Sequence, residues 1–125
     1  MSASTLRIGV LMPEVLGTYG DTGNALILAE RARRRGIEAE VVHVGLTEDI
    51  PDSLDIYTLG GGEDTAQALA ADKFRGTSGL SRALDAGRPL LAICASLQVL
   101  GHWYEDARGA RVPGMGVLDI TTEPQ

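Results

Sequence analysis

The residues best suited to chemistry lie in one run, Arg88-Pro-Leu-Leu-Ala-Ile-Cys94-Ala-Ser-Leu-Gln98-Val-Leu-Gly101. Pro89 to Ile93 reads as a buried strand and a helix is expected to start near Ala95, which puts the only cysteine of the chain at the corner. A strand that turns abruptly into a helix forces the corner residue into a strained, exposed conformation. Small neighbours are then required; here they are Ala92 and Ser96, where a nucleophile elbow has glycines. The helix N-terminus behind Cys94 offers backbone N–H groups and a positive dipole end, both suited to an anionic sulfur. Cys94 is therefore a candidate nucleophile. The competing reading is a buried structural cysteine, since free cysteine is among the most buried residue types.

A second run, Gly60-Gly61-Gly62-Glu63-Asp64, follows a predicted strand over Asp55 to Leu59. Open α/β sheets place ligands at the carboxyl ends of their strands. Three glycines let backbone approach a ligand closely and aim N–H groups at it, as an oxyanion hole requires; the plainer alternative is a flexible turn. The glycines at 17, 20 and 23 do not make a dinucleotide fingerprint, and no Lys-Ser or Lys-Thr pair makes a P-loop. Asp21 would repel a phosphate at the helix start that follows it. No nucleotide site is expected in this chain.

The elements that must position these runs alternate. An apolar strand over Leu6 to Met12 leads through the loop Gly17 to Gly23 into a helix from Asn24 to about Arg35, with Asp21 or Thr22 as cap and Gly36 as its end. Strands follow at Ile37 to Val44 and at Asp55 to Leu59, then helices near Asp64–Ala71 and Ser78–Ala86. The elbow helix is expected to run to about Tyr104, Gly109 to Gly116 to be turn-rich, and Val117 to Thr121 to be a fifth strand. Such alternation predicts an α/β three-layer sandwich with a mainly parallel sheet.

With 44% hydrophobic but only 4% aromatic residues, the core must be built from Leu, Ile, Val and Ala. A net charge of −6, from 17 acidic and 11 basic residues, argues against nucleic acid or an anionic membrane as partner. Arg31, Arg33, Arg34 and Arg35 close a predicted helix, where they complement its dipole. One cysteine excludes an internal disulfide and a multi-cysteine metal site, so neither metal nor cofactor is expected. Met1 to Leu6 carries no signal-peptide pattern and no apolar run reaches membrane-spanning length, which leads us to expect a cytoplasmic location without membrane insertion.

Cys94 with Gln98 four places on, the upstream Gly-Gly-Gly-Glu-Asp and the loop Tyr19-Gly20-Asp21-Thr22-Gly23-Asn24 resemble class I (triad-type) glutamine amidotransferases. The resemblance points to the cobyric-acid-synthase-like branch. The first loop is similar to the glutaminase subunits of lipid II isoglutaminyl synthases, which work beside a Mur-ligase-like partner. It extends from about Ile8 to Glu123 and includes Pro113 to Asp119. It implies a class I amidotransferase-like fold and glutamine as substrate. Cys94 would be the nucleophile, Ala95 with Gly61 or Gly62 would supply the oxyanion N–H groups, and Gln98 would shape the glutamine pocket. Ammonia would pass to the partner subunit of a heterodimer, whose ATP-dependent step amidates the D-glutamate of the peptidoglycan stem peptide.

The family usually has glycines after the cysteine, where this chain has Ala95-Ser96. It also draws the histidine that activates the thiol from the second half of the domain, so residues 1–125 are expected to form an amidotransferase-like domain lacking its C-terminal part. His102 lies eight residues past Cys94, roughly 12 Å along a helix, too far for direct transfer. His43 sits near the end of the second strand. Two alternatives follow: a glutaminase of corrinoid (cobyric acid) amidation, which shares the elbow, and a non-catalytic scaffold that binds a synthase, which the missing histidine favours.

Overall fold

Four short apolar runs pair side by side as one parallel sheet. The computed structural model describes residues 5–17, 22–75 and 79–123. The strands are β1 (Leu6–Leu11), β2 (Ala39–Val44), β3 (Ile56–Leu59) and β4 (Leu90–Ala92), in spatial order β2-β1-β3-β4. Ile8 stands opposite Val41 on one side and Ile56 on the other, and Leu59 stands opposite Ala92. Helix α1 (Thr22–Arg34) links β1 to β2, α2 (Asp64–Arg75) and α3 (Gly79–Asp85) link β3 to β4, and α4 (Ala95–Leu100) leaves β4.

Side-chain alternation along the strands builds a layer on each face. Ile8 and Val10 point to Ala25 and Ala29 of α1, whose small side chains let that helix lie close to the sheet. Leu11, Tyr57 and Leu59 join Phe74 of α2, Leu80 of α3 and Val99 of α4 in the larger core cluster. The α/β three-layer arrangement read from the sequence is therefore the fold. Gly36 ends α1 as expected: at φ +79 its N–H bonds to Arg33 O at 2.9 Å while Ile37 N–H reaches Ala32 O at 3.0 Å. Gly87 closes α3 in the same way.

Beyond α4 the structure corrects the sequence reading. The elbow helix does not reach Tyr104; it stops at Leu100. Its last carbonyls are taken by a returning segment: Met115 N–H bonds to Val99 O at 2.7 Å, and the N–H groups of Val117 and Leu118 both bond to Leu100 O at 3.0 Å. Spending those donors on α4 also removes the expected fifth strand over Val117 to Thr121. Only β7 (Thr121–Thr122) remains, and it lies in a second sheet of order β6-β5-β7 with β5 (Trp103–Glu105) and β6 (Arg111–Pro113). Strand β6 falls inside the stretch read as turn-rich, paired antiparallel to β5. The capping role read for Asp21, with Tyr19 and Gly20, and the helix start at Ser78 lie outside the described residues. No helix among the described residues is long and apolar enough to cross a membrane.

The two edges of the parallel sheet differ. On β2, Glu40 and His43 are exposed. Along β4 runs an apolar groove of about 840 Å³ lined by Leu84, Leu91, Leu97, Leu100, Val117 and Leu118, with Leu91 and Leu97 39% and 49% exposed. An apolar parallel edge is a template for strand pairing. We expect the 125-residue chain to self-associate with rising concentration in sedimentation velocity, and Leu91→Lys to keep it monomeric. Unchanged association in that variant would place the contact elsewhere.

Candidate active site

The corner between β4 and α4 has the geometry that its sequence demands. Ile93 N–H bonds to Leu59 O at 3.0 Å, carrying the β3–β4 pairing one residue past the end of β4. Cys94 then adopts φ 56, ψ −119, and is exposed. A side chain in that region is strained by about 1–3 kcal/mol and persists only where its surroundings over-determine it. Here the chain turns at once into α4: Ser96 N–H bonds to Ile93 O at 3.2 Å and Leu97 N–H to Cys94 O at 3.1 Å. The reading of Cys94 as a buried structural cysteine is overturned.

Gly60, Gly61 and Gly62 follow β3, and β3 is the direct neighbour of β4, so the triple glycine and the cysteine corner share one carboxyl edge. Gly60 and Gly61 are buried and Gly62 is half-buried. A Cβ on Gly62 would stand 2.8 Å from Val15 O, so only glycine lets the loop after β1 lie this close. The hydroxyl of Ser96, 1% exposed, donates to Gly60 O and ties the first turn of α4 to the glycine loop. Ala95, the third residue assigned to the oxyanion hole, opens α4.

Gln98 is held from a direction the sequence did not indicate. Gln67 of α2, 3% exposed, donates through Nε2 to Gln98 Oε1 at 2.8 Å. This engages one lone pair of the Gln98 carbonyl oxygen and fixes the direction of its amide group. Gln98 also lines a cavity of about 490 Å³ with Glu105, Asp106, Thr122 and Glu123. One oxygen of Asp106 is committed to a turn, accepting from Arg108 N–H and Ala110 N–H at 2.9 Å each.

The structure brings neither histidine to Cys94. His43 lies on β2, with β1 and β3 between it and β4, about 14 Å across at ~4.8 Å per strand. His102 falls beyond the end of α4, and its exposed ring is 3.0 Å from Asp119 Oδ1. Sequence reasoning missed Gln67 and also Met12, which takes φ 49 at the end of β1 while fully buried. Methionine carries no signal for that conformation, and Gln67 lies 31 residues from the side chain it holds.

A parallel α/β sheet in which β4 runs into an exposed, strained cysteine, beside a glycine loop on the adjacent strand, has the strand-to-helix corner geometry of a nucleophile elbow. The CobB/CobQ-like glutamine amidotransferase domain matches residues 7–125, and the chain belongs to that family. The lipid II isoglutaminyl synthase (glutamine-hydrolyzing) subunit GatD of Staphylococcus aureus strain N315 is 39% identical over 120 residues, covering 94% of this chain and 49% of that protein. The same-named subunit of Streptococcus pneumoniae is 35% identical over 115 residues, 90% of this chain and 44% of that protein. The pyridoxal 5'-phosphate synthase subunit PdxT of Haloarcula marismortui is 34% identical over 119 residues, 95% and 56% respectively. The chain thus spans about half the length of the curated relatives it matches.

If the corner stores strain, relieving it must stabilise the protein. Cys94→Gly is expected to raise the free energy of unfolding by about 1 kcal/mol in urea titration, despite the lost side chain, and Cys94→Ala to leave it nearly unchanged. Equal destabilisation by both variants would show that the conformation costs nothing.

Proposed function

We propose that this protein is the glutaminase part of a synthase that amidates the D-glutamate of the lipid II stem peptide. The observation that carries the reading is the exposed Cys94 at φ 56 beside the Gly60–Gly62 loop, in a chain of the glutamine amidotransferase family. The GatD subunits match 94% and 90% of this chain, the cobyric acid synthases 69% and 54% of it, which supports lipid II as the acceptor over corrinoid amidation.

In the proposed reaction Cys94 gives its proton to a base and its sulfur bonds to the side-chain amide carbon of glutamine. The carbonyl π pair moves onto oxygen, where N–H groups of Ala95 and of Gly61 or Gly62 receive the charge. One such donor is worth roughly 10²–10³ in rate. Collapse re-forms the carbonyl and breaks the C–N bond; the nitrogen takes a proton and leaves as ammonia. Water then cleaves the thioester, releasing glutamate and restoring the thiol. Gln98, fixed by Gln67, would help to shape the glutamine pocket. The base is assigned to a histidine other than His43 and His102, as the family resemblance implies. ATP-dependent activation of the acceptor belongs to the Mur-ligase-like partner.

The placement of both histidines away from Cys94 favours a second reading, a scaffold that binds the synthase without hydrolysing glutamine. Amidation by the native complex separates the two. Cys94→Ala is expected to abolish amidation supported by glutamine while that supported by free ammonia continues at the parent rate. Undiminished glutamine support in the variant would sink the glutaminase reading and leave the scaffold.

A further inference from the structure

Ser96 stands where the family usually has glycine, and its side chain is not idle. It is 1% exposed, and its hydroxyl crosses from α4 to Gly60 O, 36 residues away in sequence. Serine in the first turns of a helix ordinarily bonds within its own segment or to solvent. Its partner here is a peptide flanked by glycine on both sides, the unit of backbone most able to reverse, because glycine populates positive and negative φ alike.

A trans peptide is planar, with its C=O and N–H pointing in opposite directions. Holding the Gly60 carbonyl therefore also holds the direction of the Gly61 N–H. The preceding carbonyl, Leu59 O, is already taken by Ile93 N–H at 3.0 Å. Two successive carbonyls at the end of β3 are thus pinned by residues flanking Cys94, one from each side of it. On its far side the loop is confined by Val15 O against Gly62.

We propose that Ser96 is a positioning residue: its hydroxyl fixes the facing of the Gly60–Gly61 peptide and so presets the glycine loop toward the oxyanion that forms at Cys94. The proposal rests on the glutaminase reading above. It assigns to this serine an anchoring that a glycine in its place cannot provide, and it acts on the reaction through the glycine loop, without touching glutamine.

The test is covalent inactivation of the native protein by the chloromethyl ketone analogue of glutamine. The thiol gives its proton to the base and the sulfur adds to the ketone carbon, whose π pair becomes an alkoxide where the oxyanion would form. The sulfur then shifts to the adjacent methylene: its bond to the ketone carbon and the C–Cl bond break, the carbonyl re-forms, chloride departs and a thioether remains. Iodoacetamide, which alkylates the sulfur by displacing iodide without forming an oxyanion, is the control. Ser96→Ala is expected to lower kinact for the ketone about tenfold while KI and the iodoacetamide rate stay within about twofold. Ser96→Thr, which keeps the hydroxyl, is expected to retain most of the parent kinact.

An unchanged kinact in Ser96→Ala, or an equal fall with iodoacetamide, overturns the positioning role. Should Ser96→Ala not fold, Ser96→Gly gives the same reading with the residue usual in the family. A parent protein whose inactivation by the ketone neither saturates nor is slowed by glutamine overturns the glutaminase reading itself, which is a different outcome from an unaffected variant.

Discussion

The strand-to-helix corner at Cys94, held at φ 56, sets the terms for the rest of the structure. Its strain of about 1–3 kcal/mol must be balanced by neighbours that leave no alternative path for the chain. Strand β4 is fixed on β3 up to Ile93, and α4 begins immediately beyond. A helix of six residues is marginal by itself, because nucleation costs more than so few hydrogen bonds return. The second sheet makes up the difference by folding Met115 to Leu118 back onto the carbonyls of Val99 and Leu100. The small sheet β6-β5-β7 is thus part of the mechanical support of the corner.

The same requirement explains where polar groups are buried. Gln67 and Ser96 are among the few buried polar residues described, and each reaches across to the other half of the site. Gln67 joins α2 to α4, and Ser96 joins α4 to the end of β3. Unpaired, each would cost about 1–3 kcal/mol; paired, they fix the relative placement of elements that apolar packing alone leaves free to slide. Electrostatics contributes less, because the ion pairs Arg34–Glu30 and Arg75–Asp72 lie on exposed surface.

Local signals were enough to read the parallel sheet, the cysteine corner and the adjacent glycine loop, because each is written within a dozen residues. Period and glycine placement mark the strands and the ends of α1 and α3, and the apolar run into Cys94 marks the turn. The early end of α4 was legible only in part: Gly101 directly follows Leu100 and caps the helix, but the donors that take its last carbonyls come from Met115 to Leu118. The partners of Gln98 and Ser96 were equally hidden, because a hydrogen bond between distant segments leaves no period. Met12 hides its left-handed turn behind a residue type that gives no warning.

The departure from the family pattern at Ala95-Ser96 bears on rigidity as much as on strain. Glycines after the cysteine ease a tight corner, but they also enlarge the set of conformations that folding must suppress. Ala and Ser narrow that set, provided the corner can hold their side chains. For Ser96 it can, since its Oγ finds an acceptor in Gly60 O while the residue is 1% exposed. The corner in this chain is therefore tied to the loop it faces through the Ser96 hydroxyl. Cysteine strand, short helix and glycine loop form one mechanical unit, in which a change at any of the three is felt at the other two.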